Sequence, residues 1–303
     1  MAPLVAEVDD EARRRIADHG LWYHTIDVAP GLTTPGGFDL RHVVDLLPWP
    51  DVRGKRCLDV GTFDGFFAFE LERRGAAAVV GIDIPDASLC DWPLDVRPGV
   101  PGAARSLASA GPPRGAAFRL VAELIGSKAE WRPLSVYDLD PADIGTFDVV
   151  VCGSLLLHLR DPVRALEAIR GVCKGWLLSS EQIDPWLTLL RPKAPLARFN
   201  GSGHDCQWWV PGAAGHERLL WAAGFAVEQR SRPYIERLNP VHGQAPPLRS
   251  APRDLLTRFL VGDPQPALAI RGALHARVLR RLTGDPHPGV LHHAVLARPR
   301  LSS

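Results

Sequence analysis

The chain has 303 residues, 46% hydrophobic and 23% charged, with a formal net charge of +1, which excludes a disordered, collagen-like or coiled-coil chain and leaves room for a substantial core. No apolar run reaches the ~18 residues of a membrane span, and Met1–Ala17 is too charged for a signal peptide, so a cytoplasmic protein with no membrane partner is expected. Five scattered cysteines without a C-x-x-C pair read as reduced core thiols rather than as a disulfide framework or a zinc site.

Charge is unevenly spread. From Arg230 to Ser303 twelve arginines stand against Glu236, Asp254, Asp263 and Asp285, which suits a solvated helical face or a site for a phosphate or another anion. In chain order, Asp9–His19 has the periodicity of a surface helix, Leu21–Gly37 is an aromatic and turn-rich loop, and Asp39–Leu47 resumes a helical pattern that Pro48–Pro50 stops. Arg56–Val60 is a short apolar strand running into Gly61, followed by a helix over Asp64–Arg74 and a strand over Ala77–Ile82 that ends in Asp83. Pro93–Pro113 reads as a loop or lid, Ala116–Leu124 as a helix and Glu130–Val136 as a strand. A continuous apolar strand, Phe147–Cys152, precedes an amphipathic helix over Asp161–Cys173 with Pro162 in its first turn, then a strand at Trp176–Ser180. Asp184–Gly212, rich in Pro, Gly and Trp, is expected as a loop-like insertion. Beyond it come a helix at Glu217–Ala223, a strand at Phe225–Arg230, a loop over Pro233–Arg253, a mostly helical Leu255–Leu282 and a last strand at Leu291–Ala297. Strands alternating with helices predict an α/β fold, a Rossmann-like parallel sheet covered by helices on both faces.

Four features in order carry the chemistry. Leu58-Asp59-Val60-Gly61-Thr62-Phe63-Asp64-Gly65 places a glycine turn between strand and helix, where backbone N–H groups meet a ligand. Such a loop serves a dinucleotide or S-adenosylmethionine, and Thr62 stands where the dinucleotide fingerprint wants its second glycine. Asp83, with Ile84 after it, ends the next strand, where a carboxylate can accept both ribose hydroxyls of a nucleoside; capping the following turn is its plainer role. Tyr137-Asp138 follows the third strand, and Phe147–Cys152 runs into Gly153-Ser154-Leu155-Leu156-Leu157-His158. Together these resemble the class I S-adenosylmethionine-dependent methyltransferases. That resemblance implies S-adenosyl-L-methionine as cofactor, held by Asp59, Gly61, Thr62, Phe63, Gly65, Asp83, Ile84, Tyr137, Asp138 and Gly153.

A narrower resemblance is to the tRNA wobble-uridine carboxymethyltransferases and their relatives. It rests on Trp22–Asp27 (W-Y-H-T-I-D), Thr34-Pro35-Gly36, Asp59–Gly65, Gly153–His158, Arg160-Asp161-Pro162 and Val210-Pro211 before Gly224-Phe225, and covers Leu21–Arg230. The tRNA enzymes carry a tyrosine where this chain has Leu157, in the pocket for a carboxylated cofactor, and only four lysines are present. Both departures imply ordinary S-adenosylmethionine and a small-molecule acceptor. Modification of a tRNA wobble uridine is the alternative, and a cofactor-binding protein without catalysis a second one. Candidate bases are Glu181, His158 and His24, with His204 behind them; each has a structural alternative as a cap, hydrogen-bonding or ion-pair residue. Trp22 and Tyr23, which flank His24, are candidate acceptor-binding residues, and Trp208 and Trp209 are candidate acceptor walls or core seals. His292-His293 resembles a metal site only superficially, with no further ligand at suitable spacing, so no metal is expected. The organisation read from this is an N-terminal helical lid (1–50), a cofactor-binding core (51–183), a tryptophan-bearing insertion (184–214) and the remainder of the sheet with a long basic helical connection (215–303).

Overall fold

The computed structural model describes residues 2–94, 96–97, 99–100, 113–202, 206–239, 265–287 and 289–300. His204, most of the Pro93–Pro113 loop and much of the basic C-terminal stretch lie outside the described residues.

The N-terminal segment begins with α1 (Ala2–His19), continues as a hairpin of β1 (Asp27–Ala29) and β2 (Leu32–Thr33), and ends in β3 (Phe38–Asp39). The helix expected over Asp39–Leu47 is only one 3-10 turn at Val44–Leu46. Asp39 is held in the sheet, Leu40, Val43, Val44 and Leu47 each drop into the core, and Pro48 follows at once, so no second turn can form. The Thr34-Pro35-Gly36 run has a physical purpose. Thr34 Oγ1 donates to the His24 carbonyl at 2.6 Å and accepts the Ile26 N–H at 2.8 Å, and a Cβ on Gly36 would stand 1.9 Å from the His24 carbonyl carbon. Gly36→Ala is therefore expected to cost about 2–4 kcal/mol, since backbone must move; a denaturant melt with an unchanged midpoint would refute this.

The parallel heart of the sheet consists of β4 (Arg56–Val60), β5 (Ala78–Asp83), β6 (Glu130–Pro133), β7 (Phe147–Gly153) and β8 (Cys173–Gln182), side by side as β6-β5-β4-β7-β8. β4 and β7 are apolar because both of their faces are covered. On one face lie α2 (Phe66–Arg73), α3 (Ala116–Ile125) and the N-terminal segment, packed on Cys57, Val149, Val151 and Leu178. On the other, α5 (Pro162–Val172) follows a single turn of helix, α4 (Pro141–Ile144), and buries Ala165, Leu166, Ile169 and Val172 against Leu58, Val150 and Leu177. Asp161 caps α5 by accepting the Arg164 N–H at 3.0 Å, which with Pro162 accounts for the Arg160-Asp161-Pro162 run.

The insertion is more ordered than expected. α6 (Pro185–Leu190) precedes an antiparallel pair, β9 (Ala197–Ser202) and β10 (Gln207–Pro211). Backbone groups carried away from the main sheet must find partners, and a hairpin supplies them. α7 (Ala213–Ala222) and β11 (Phe225–Arg230) match expectation, but Pro233–Arg253 is not all loop, because β12 (Tyr234–Leu238) lies within it. After the long connection and α8 (Gln265–Thr283), β13 (Gly289–Pro299) returns antiparallel to β8. β11 pairs with its far half and β12 with its near half, so the two run as one interrupted strand beside β13, with Pro233, which has no N–H for the ladder, in the break. β12 then pairs with β3, and Thr25 N–H donates to the Phe38 carbonyl at 2.8 Å, which adds the N-terminal segment to the sheet's edge. Among the described residues, no helix is long and apolar enough to cross a membrane.

Candidate functional site

The chain passes from β4 through β5 and β6 on one side and returns to β7 on the other. The carboxyl ends of β4 and β7 therefore flank the topological switch point, where open α/β sheets bind ligands. Gly61 (φ 74°) and Gly65 (φ 97°) take left-handed conformations there. Phe63 (φ 48°) and Ser154 (φ 49°) take them too, although they carry side chains. Such backbone costs on the order of 1–3 kcal/mol and clusters at functional sites.

The acidic residues of the loop divide their tasks. Asp59 is fully buried and accepts the Thr62 hydroxyl at 2.6 Å; burial, opposed by that bond, pushes its carboxyl up to about 7. It braces the loop from beneath. Asp83, half-buried at the end of β5, accepts the Phe63 N–H at 3.0 Å on one oxygen and the Ile84 N–H at 2.8 Å on the other. Burial raises its carboxyl, against the pull of Arg114, whose guanidinium lies 4.3 Å over the Phe63 ring.

Asp64, completely buried, is a residue that the sequence reading left without a role. One of its oxygens accepts the backbone N–H groups of Tyr23 (2.9 Å) and His24 (2.7 Å), and the other pairs with His24 Nδ1. The W-Y-H run is thus fastened onto the glycine loop. Tyr23 packs against Phe63 and Phe38. Burial, reinforced by Glu236, Asp64 and Glu181, pushes its phenol up. Trp22, considered as an acceptor-binding residue, instead donates its indole N–H to the Ile16 carbonyl at 2.9 Å and sits in the core, tying down α1.

At the end of β7, Gly153 lies under the Phe67 ring. Glu181, expected as a base, is 1% exposed and accepts the N–H groups of Leu155 and Leu156 at 3.2 Å; burial pushes it up to about 8. It anchors the loop after β7. His158 pairs through Nδ1 with the Cys206 carbonyl at 2.9 Å, which ties that loop to the insertion. Tyr137 donates to Asp91 at 2.8 Å and accepts the Asp161 N–H at 3.1 Å, while Asp138 is exposed. Asp91, which belongs to no motif, also accepts the Arg160 N–H on a carboxylate oxygen, and its carbonyl takes the Trp208 indole N–H at 2.6 Å. Trp209 donates to the Arg160 carbonyl at 3.2 Å and stands with Leu157, Glu181 and His216 around a shallow dimple too tight for a water molecule.

His292 and His293 cannot share a metal, because neighbours on a strand face opposite sides of the sheet. His292 meets Ser154, whereas His293 meets His216 edge-on at 5.7 Å, with Nδ1 of both His216 and His293 buried and unpartnered. Burial drives His293 down to about 4 from 6.5. Between those values the unfolded chain binds the extra proton, so this group's contribution is complete above 6.5 and is lost as pH falls toward 4. His293→Leu is therefore expected to gain about 2 kcal/mol more stability at pH 5 than at pH 8, at about 1.4 kcal/mol per pH unit; equal effects in paired denaturant melts would contradict it.

Comparison with known proteins agrees with this architecture. The ubiquinone biosynthesis O-methyltransferase of Neisseria meningitidis serogroup C is 34% identical over 124 residues, 41% of this chain and 42% of that protein. The tRNA U34 carboxymethyltransferase of Pseudomonas paraeruginosa is 30% identical over 184 residues, 59% of this chain and 47% of that protein. The chain thus spans under half the length of these curated relatives. The N-terminal domain of EvdMO1, solved with S-adenosylhomocysteine and D-fucose, shares the fold with a TM-score of 0.50 at 16% identity, covering 96% of this chain and 97% of that one. A family model described as a methyltransferase domain matches residues 39–230, the span that holds the glycine loop, Asp83 and the strands of the switch point, and the chain belongs to that class I S-adenosylmethionine-dependent methyltransferase family.

Proposed function

We propose that the protein transfers a methyl group from S-adenosylmethionine to a small-molecule acceptor. The observation that carries this reading is Asp83 at the rim of the switch point. Each of its oxygens accepts one backbone N–H and keeps lone-pair capacity, the acceptor set that a pair of donating ribose hydroxyls needs. Gly61 brings bare backbone beside it, where a Cβ would press on Leu155 at 3.2 Å, so the residues present fit a nucleoside ligand, while Gly65 is buried against the Phe69 and Phe118 rings and lets the turn close. S-adenosylmethionine supplies a methyl group on a positively charged sulfur. Everything else falls to the chain. Asp59 with Thr62 holds the glycine loop, Glu181 holds the loop after β7, and the His24–Asp64 latch seats the N-terminal segment across the carboxyl ends of the strands. Tyr23 and the Trp208-Trp209 strand flank the acceptor side. In this reading Glu181, His158 and His24 are positioning residues, since methyl transfer depends largely on orientation.

Similarity to the tRNA U34 carboxymethyltransferase supports a second reading, in which a tRNA uridine is the acceptor. Mass spectrometry of whatever the purified, denatured protein releases, followed by calorimetric titration of the same sample, separates the two. S-adenosylmethionine or S-adenosylhomocysteine, with no salt-sensitive tRNA binding, is expected. A carboxylated cofactor with tRNA affinity that falls steeply as salt rises would select the second reading. A protein that carries and binds neither would end both.

A further inference from the structure

Behind the loop after β7 lies a row of polar side chains that none of the assigned roles uses. Ser154 Oγ is 2.8 Å from His292 Nε2, and Glu236 Oε2 is 3.2 Å from the same nitrogen. His292 Nδ1 is 3.0 Å from the Val290 carbonyl, which can only accept, so Nδ1 carries the hydrogen and Nε2 presents its lone pair toward Ser154 and Glu236. His292 and Glu236 are 2% and 3% exposed, whereas Ser154 is half-buried and strained at the carboxyl end of β7. Among the three side chains Ser154 is the least buried, and it stands at the carboxyl end of β7, beside the switch point. Tyr234 stacks on the His292 ring and shares a hydrogen bond with Ser180, closing off the far side.

We infer that Ser154, His292 and Glu236 form a proton relay that accepts the proton of the methyl acceptor, and that the acceptor is therefore a hydroxyl compound. This deepens the methyltransferase reading and rests on it. In the step, the acceptor oxygen forms a bond to the methyl carbon and the donor's carbon–sulfur bond breaks with its electron pair staying on sulfur. The acceptor's O–H proton passes to Ser154 Oγ as the Ser154 proton passes to His292 Nε2, and the Glu236 carboxylate faces the imidazolium that results. One proton leaves to solvent for each methyl transferred. Ser154 touches the acceptor; His292 and Glu236 act through it. Burial pushes Glu236 up to about 8, with a further push from Glu181, and holds His292 down at about 4. Below that range Glu236 keeps its proton and competes with Ser154 for the one lone pair on Nε2, so the rate rises with pH as Glu236 ionises. The titratable groups packed around the pair are Glu181 on β8, Tyr234 on β12, Tyr23 of the N-terminal segment and His216 on α7.

The test uses the full chain with catechol and 4-hydroxybenzoate as hydroxyl probes, aniline and indole as nitrogen and carbon probes, and methyl-labelled S-adenosylmethionine. Label is expected on a hydroxyl probe, with kcat lowered about 10²-fold in Ser154→Ala and S-adenosylhomocysteine affinity unchanged. In Glu236→Gln the acidic limb of the pH–rate profile moves to lower pH. Nitrogen-15 NMR of the ligand-free protein should show His292 neutral with hydrogen on Nδ1, and its Nε2 resonance should shift in Ser154→Gly, a variant that relieves the strained backbone and stays folded. The proposal is overturned by undiminished kcat in Ser154→Ala, by an Nε2 signal blind to Ser154→Gly, by label on nitrogen or carbon probes alone, or by no label on any hydroxyl probe while S-adenosylhomocysteine binds. Failure to bind S-adenosylhomocysteine at all would instead strike the underlying methyltransferase reading.

Discussion

Replacing Asp83 with alanine is expected to raise the dissociation constant for S-adenosylhomocysteine about 10²-fold or more while the fold persists. A hydrogen bond to a charged group contributes about 1.5–3 kcal/mol, two are removed, and every 1.4 kcal/mol is tenfold in affinity. The Phe63 and Ile84 N–H groups that Asp83 now accepts lie at a half-buried position within reach of water, so the melting midpoint should move little. Asp83→Asn keeps the shape and loses the charge, and should fall between the two. Calorimetry reads both variants, and wild-type affinity in Asp83→Ala would remove this residue from the ribose role.

Asp64→Ala should act in the opposite way, on the structure first. It strips the partner from two backbone N–H groups and from His24 Nδ1 at a completely buried position. Buried donors left unsatisfied cost about 1–3 kcal/mol each, with relaxation recovering part, so a loss of about 2–4 kcal/mol is expected. Hydrogen exchange should locate the damage at Tyr23–Gly36, with the parallel strands still protected, and cofactor affinity should weaken only as far as the N-terminal segment contributes to it. Uniform protection across the chain would show that the latch holds nothing.

Much of the site was legible in the sequence because it depends on local geometry. The glycine turn after β4, Asp83 at the end of β5 and the switch from β7 into Gly153-Ser154 follow from strand period, turn chemistry and spacing, and they stand at the carboxyl ends of three neighbouring strands. Local periodicity misled where neighbours decide. Asp39–Leu47 has helical spacing, but its first residue is held by pairing with β12, and Pro233, expected to open a loop, is followed at once by β12. Asp64, Asp91 and Glu236 carried no signal, since a single carboxylate in a sequence does not reveal which N–H or imidazole it will meet.

The sequence by itself determined the parallel α/β core and the resemblance to a nucleoside-cofactor family, because strand period and glycine turns are short-range properties. The tertiary structure alone decided that Glu181 is buried beneath a loop, that His24 belongs to Asp64, and that Ser154, His292 and Glu236 meet across 138 residues of chain. The physical reason is that burial and hydrogen-bond partnership are set by elements distant in sequence. For a carboxylate or an imidazole, that surrounding decides whether the group braces a loop or moves a proton.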